Sequence, residues 1–159
     1  MKDTARQLLR HTLATLAYRA GKVLRGIPAD FPNFRVSAGT RTPGEILAHM
    51  CDLFDWAFSL ARGKHVWHDS QPAEWSQDVA RFHTALAAFD DLLASADTLA
   101  CAPEQLFQGP VADALTHIGQ IALLRRIAGS PVRGENYFAA EIVAGRVGPQ
   151  QTAPRREFD

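Results

Sequence analysis

With 159 residues and a formal net charge of zero from 17 basic and 17 acidic side chains, the chain has no positive excess for neutralising many phosphates, and no nucleic-acid partner is expected. Hydrophobic residues make up 47% and charged residues 21%, the balance of a globular domain with a sizeable core. No apolar run reaches the about 20 residues that cross a bilayer, the first segment is broken by Arg10, His11 and Arg19 and does not read as a secretory signal, and Cys51 and Cys101 form neither a disulfide framework nor a Cys-x-x-Cys pair, so a cytoplasmic setting without a membrane partner is expected.

Four segments carry the apolar period of amphipathic helices. The first runs from about Asp3 to Leu24, with Leu9, Leu13, Leu16, Ala20 and Leu24 on one stripe. Turn formers follow (Gly26, Pro28, Pro32, Gly39), and this long connection, about Arg25 to Arg41, leaves room for a crossover. The second helix has the clearest start: Thr42 as N-cap, Pro43 at the first helical position and Glu45 completing a capping box. Its buried stripe is Ile46, Met50, Leu53, Phe54, Ala57 and Ala61, and Gly63 ends it.

The third helix is expected from about Ala73 to Ala96, with Trp75, Val79, Phe82, Leu86, Phe89 and Leu93 as its seam. The fourth is expected from near Pro110 to Gly129, where Arg125 and Arg126 complement the helix dipole and Pro131 follows the stop. A further short helix is expected around Asn136 to Ala144. The pattern predicts an all-α fold, an antiparallel four-helix bundle with a short extra C-terminal helix. Residues 1–148 make one domain and residues 149–159 a polar tail.

The chemistry concentrates on two helices. Asp113 and His117 are four apart, so they share a helical face, and that face is otherwise apolar: Ala114, Ile118, Ile121 and Leu124 surround it. A carboxylate in such a place is costly unless it is paired or bound to a metal. His49, at the edge of the second helix's stripe, is the candidate third ligand. Imidazole and carboxylate suit zinc, nickel or iron, and three protein ligands leave a position for water or substrate. The same spacing also describes an ordinary hydrogen-bonded helix pair, with His49 a half-buried histidine.

The stretch Arg41-Thr-Pro-Gly-Glu-Ile-Leu-Ala-His49, together with His117-Ile-Gly-Gln-Ile121 and the following Leu123, Leu124, Arg125 and Gly129, resembles the second- and fourth-helix motifs of DinB-like proteins, a bacterial four-helix-bundle superfamily. The fourth-helix motif there reads His-x-x-x-His-x-Gly-Gln, and a histidine from the second helix completes a metal triad. The resemblance therefore implies a divalent-metal site at His49, Asp113 and His117, with Asp113 standing where the family has a histidine. That departure shifts preference toward harder ions or marks a decayed site. The family includes transferases that use low-molecular-weight thiols, an isomerase acting with such a thiol, and homodimers. The small residues Ala112, Thr116 and Gly119 allow close approach of a second subunit.

Two function classes follow. One is a metal-dependent enzyme of thiol-transferase or hydrolase type, acting on a small molecule such as a low-molecular-weight thiol. The other is a non-catalytic metal-binding or stress-related interaction bundle. Arg133, Asn136 and Tyr137 are candidate substrate-binding residues just past the fourth helix, the alternative being a turn whose Tyr-Phe pair plugs the core. His65 and His68 read as a surface loop, His11 and His83 as helix-surface residues, and Cys51 as packing. Glu45 is a candidate acid-base group, although its capping role already explains it.

Overall fold

The computed structural model describes residues 3–158. Its long helices are α1 (Thr4–Leu24), α2 (Pro43–Ala61) and α3 (Trp75–Ala94); a one-turn α4 (Pro103–Leu106) then passes through a widened turn at Phe107–Val111 into α5 (Ala112–Ile127). The protein is mainly helical. No helix among the described residues is long and apolar enough to cross a membrane.

The sequence stripes are the buried faces. Leu13, Leu16, Met50, Phe54, Phe82 and Ile121 meet in one core with no exposed surface. At the start of α2 the Thr42 hydroxyl accepts the Glu45 N–H at 3.2 Å, and the Glu45 carboxylate accepts the Thr42 N–H at 2.7 Å. Two otherwise orphaned helix donors are thus satisfied reciprocally, which fixes the first turn.

Contacts between helix ends give the directions. At one end, the start of α1 meets the end of α3, where Arg6 donates to the carbonyls of Ser95 and Asp97. The end of α2 reaches the same place, where Ala61 accepts the Ala100 N–H at 2.9 Å. At the other end, the Trp75 indole of α3 donates to Leu24 at 3.1 Å. There Arg125 of α5 donates to Val23 at 3.1 Å, Arg25 at 2.6 Å and Gly26 at 3.2 Å. So α1 and α5 run one way, and α2 and α3 the other. Arg125 and Arg126 stand in the last turn of α5, as expected, and Arg125 is also a buried tie between the C-terminal ends of α1 and α5.

The crossover therefore lies between α2 and α3, in residues 62–74, and not in the connection from Arg25 to Arg41. That earlier segment stays at one end of the molecule, where Phe31 is buried and packs edge-on against Trp75 with ring centroids 6.0 Å apart. The crossing segment is clamped at Asp52, which is buried on α2. Its carboxylate accepts the Ser70 N–H at 2.8 Å and the Ser70 hydroxyl at 2.7 Å, and it pairs with Arg81 of α3.

Three expectations are corrected. The fourth long helix starts before Pro110, through α4 and the widened turn. Proline lacks an N–H, and the looser turn accommodates it inside a continuous helical path. No helix spans Asn136 to Ala144; a single turn at Tyr137–Ala139 stands there. The expected polar tail returns to the body, with β2 (Glu157–Phe158) pairing antiparallel with β1 (Gly134–Glu135). Glycine is needed at 134, since a Cβ there would lie 2.5 Å from the Phe158 ring. Beneath this ladder the buried Glu135 carboxylate accepts the Tyr18 hydroxyl at 2.6 Å and the Lys22 ammonium at 2.8 Å, while Lys22 also reaches Glu157 at 2.8 Å. The same C-terminal stretch covers His83, which is buried and makes a 3.1 Å hydrogen bond to the Val147 carbonyl.

Burial opposes ionisation of Asp52, but the Ser70 N–H, the Arg81 guanidinium and the Ser70 hydroxyl outweigh it and hold the carboxyl below its usual range. A folded pKa below the unfolded one stabilises above the unfolded value, about 3.9, and that contribution is lost as pH falls through the folded value. Asp52→Asn is expected to destabilise by about 2 kcal/mol at neutral pH, with the difference from the unaltered protein shrinking below about pH 4. Urea denaturation at a series of pH values measures this; an equal deficit at pH 7 and at pH 3 refutes it.

Candidate metal centre

His49 follows the capped start of α2 by one turn. Asp113 and His117 occupy successive turns at the start of α5. Because α2 and α5 run in opposite directions and pack together, the three meet between them. One ligand atom from each lies within 4.8 Å of the others, the only such group of three among the described residues. His49 Nε2 is 3.3 Å from Asp113 Oδ2, and His117 Nε2 is 3.4 Å from Asp113 Oδ1. The imidazole rings are perpendicular, with centroids 4.8 Å apart. His117 is buried, His49 is half-buried, and the Asp113 side chain is 45% exposed. Asp113 is thus less enclosed than its apolar surroundings on the helical wheel imply, because it stands at the mouth of the site in the first turn of α5.

The hydrogen positions carry the chemistry. His117 Nδ1 is 2.8 Å from Gln120 Oε1, one turn further along α5. An amide oxygen only accepts, so Nδ1 carries the proton and donates it. In the neutral ring, Nε2 is then a bare lone pair, and it faces the Asp113 carboxylate, which is also an acceptor. Two acceptors at 3.4 Å repel unless a proton or a metal ion lies between them. A metal meets that requirement: tetrahedral bonds of about 2.0–2.1 Å place neighbouring ligand atoms about 3.3–3.4 Å apart, and one ligand atom from each of the three residues already lies within 4.8 Å of the others. Gln120 supplies the outer hydrogen bond that a metal-binding histidine ordinarily makes through its other nitrogen.

The surroundings favour the neutral ring at His49. Burial lowers its pKa most; the Asp113 hydrogen bond opposes this, and neighbouring His117 and Arg41 reinforce it. Neutral imidazole is the ligand form. Trp67, from the crossing segment, packs edge-on against His49 at 5.6 Å and against Trp56 at 5.7 Å, and His65 stacks on Trp56 at 5.5 Å. Cavities open on both sides. One of about 430 Å³ lies between Trp56, Gly109 and Asp113, and another of about 430 Å³ borders His117, Gln120 and Arg41.

Glu45 is held by the Thr42 N–H and paired with Arg35 at 3.1 Å, which lowers its pKa and makes it a poor base. Burial pushes the Cys51 thiol up to about 12, and it points at the Asp78 carbonyl 3.4 Å away, away from the ligands. The three candidate substrate residues are engaged elsewhere. Arg133 pairs with Glu157 at 3.4 Å, and Asn136 accepts the Phe138 N–H at 3.1 Å. Tyr137 packs on Tyr18 with centroids 6.2 Å apart, under the Arg19 guanidinium at 4.2 Å. Phe138 is almost wholly exposed, so the pair does not plug the core either. Residues not singled out from the sequence, Arg41 and Trp67, border the site; the first stands directly before the Thr42 cap, and the second lies between the two loop histidines.

No protein-family model matches the chain, and no curated protein or solved structure does either.

The Gln120 contact predicts the tautomer. In chelator-treated protein above pH 8, nitrogen-15 shifts of the His117 ring are expected to show Nδ1 protonated and Nε2 bare, a bias that Gln120→Leu removes. A protonated Nε2 in the unaltered protein would overturn the assignment.

Proposed function

We propose that the protein is a divalent-metal-binding four-helix bundle of the DinB-like type, and that it works as a metal-dependent enzyme of thiol-transferase or hydrolase class on a small molecule. The observation that carries this reading is the convergence of His49, Asp113 and His117, with His117 Nε2 3.4 Å from Asp113 and its Nδ1 2.8 Å from Gln120 Oε1. The helix order and the residues of the two motifs support the family assignment. The exposed Gly119, Leu123 and Ile127 on α5 offer a face for a second copy.

His49, Asp113 and His117 would hold the ion. Bound there, a divalent ion supplies Lewis acidity, polarising a substrate group or lowering the pKa of water or a thiol. The protein's own contribution is positional. The capped start of α2 sets His49, Gln120 orients His117, and Trp67 shields one side of His49. The exposed edge of Asp113 and the neighbouring cavities leave an approach for a reactant, which favours a reactive site over a closed structural one.

Metal affinity of folded variants tests the proposal. His49→Ala, Asp113→Ala and His117→Ala are each expected to weaken zinc or nickel binding more than about a hundredfold, beyond the loss typical for an outer hydrogen bond. His65→Ala, His68→Ala and the Cys51→Ser, Cys101→Ser pair are expected to leave it unchanged. If the first three bind as tightly as the unaltered protein, the site is not a metal centre. If Asp113→Ala alone is harmless, two histidines hold the ion weakly and the non-catalytic, stress-related reading replaces the enzymatic one.

A further inference from the structure

Arg41 differs from the other arginines around the site. Arg35 is paired with Glu45, and Arg81 with Asp52 and Asp55. Arg41 has neither a hydrogen-bond nor an ion-pair partner among the described residues. Its backbone is fixed, because Thr42 caps α2 immediately after it.

Two cavities share Arg41, and their linings differ in sign. The smaller, about 280 Å³, is bordered by three carboxylates, those of Glu45, Asp52 and Asp69, together with His49 and with Arg35, which pairs with Glu45. The larger, about 430 Å³, has no carboxylate in its lining: Ile46, Leu123 and Leu124 give it apolar walls, and His117 with Gln120 gives it an edge on the ligand set. Carboxylates outnumber arginines in the first, three to two, and are absent from the second, so an anion is favoured in the second. One guanidinium offers a planar fork that matches one carboxylate. The apolar walls suit a hydrocarbon body, and the His117 edge puts that body beside the reactive position.

We propose that Arg41 anchors the carboxylate of a small apolar acid in the cavity walled by Ile46, Leu123 and Leu124, and so sets the substrate class of the neighbouring centre. The role as a substrate anchor rests on the metal-enzyme reading; the binding of the acid does not. Arg41 is a specificity-determining residue, set apart from the ligands it accompanies.

The test uses hexanoate as probe and hexanamide as its neutral counterpart, titrated into the full chain in the presence of chelator and followed by proton–nitrogen NMR. Saturable shifts are expected at Arg41, His117 and Leu124. Arg41→Gln is expected to weaken hexanoate about tenfold, the worth of a charge-assisted hydrogen bond, and to leave hexanamide unchanged. Arg41→Lys restores part of the loss. Asp69→Asn, which removes a charge from the other cavity, leaves hexanoate binding unchanged. The proposal falls if hexanoate gives no saturable shifts, if Arg41→Gln binds it as tightly as the unaltered protein, or if Asp69→Asn tightens it severalfold, which would place the anion in the acidic cavity. Zinc titration of unaltered protein and Arg41→Gln separates the two readings. Zinc binding kept in both with no charge dependence for hexanoate sinks only the anchor. A charge-dependent hexanoate site in a protein that binds no zinc sinks only the metal centre.

Discussion

The parallel course of α2 and α3 is the constraint on which the candidate site depends. A helix of 19 residues is about 28 Å long, and the chain must return that distance within residues 62–74 before α3 begins. Fully extended, a segment of that length reaches only about 43 Å, so it has little slack for wandering into solvent. It lies along α2 instead, and its side chains pass over residues of that helix. Trp67 meets His49 and Trp56, and Ser70 meets Asp52. The wall of the candidate centre is thus a consequence of topology: a two-residue turn between antiparallel helices would leave His49 bare.

The site also inherits its precision from ordinary helix chemistry. Thr42 and Glu45 satisfy the first donors of α2, and His49 is set one turn beyond. The widened turn around Pro110 lets the chain enter α5 without breaking, two residues before Asp113. Gln120 repeats the one-turn spacing on α5, so a single helical period places the carboxylate, the imidazole and the group that orients the imidazole.

Apolar periodicity made the helices legible, because each stripe had to face the core whichever way the chain turned. The Asp113–His117 pair was legible for the same reason: residues four apart share a face in any helix. Helix direction was not legible. The connections before and after α2 both contain prolines and glycines, and contacts between helix ends, Trp75 with Leu24 and Ala100 with Ala61, show which one crosses. Periodicity likewise says nothing of segments beyond it. His83 was read as a surface residue because nothing in its own helix predicts that Val147 will cover it, and the two-residue strands are too short for any alternation. Arg133, Asn136 and Tyr137 combine functional side chains in one stretch, but Arg133 pairs with Glu157 of the C-terminal segment, Tyr137 packs on Tyr18 and Arg19 of α1, and Asn136 caps the local turn at Phe138.

Elsewhere several buried charges are closely paired. Asp90 takes both arms of Arg10 at 3.0 and 2.9 Å, Glu135 takes Tyr18 and Lys22, and Arg125 spends its donors on five acceptor atoms. Each such cluster has a donor for every acceptor it turns inward, as buried polar groups require. In the His49–Asp113–His117 group, His49 Nε2 lies 3.3 Å and His117 Nε2 3.4 Å from the Asp113 carboxylate, with Nδ1 of His117 against Gln120. Beside it stands Arg41, exposed and without an ion-pair partner among the described residues. The clusters of Asp90, Glu135 and Arg125 are closed within the protein, whereas the group between α2 and α5 leaves Asp113 45% exposed at its mouth.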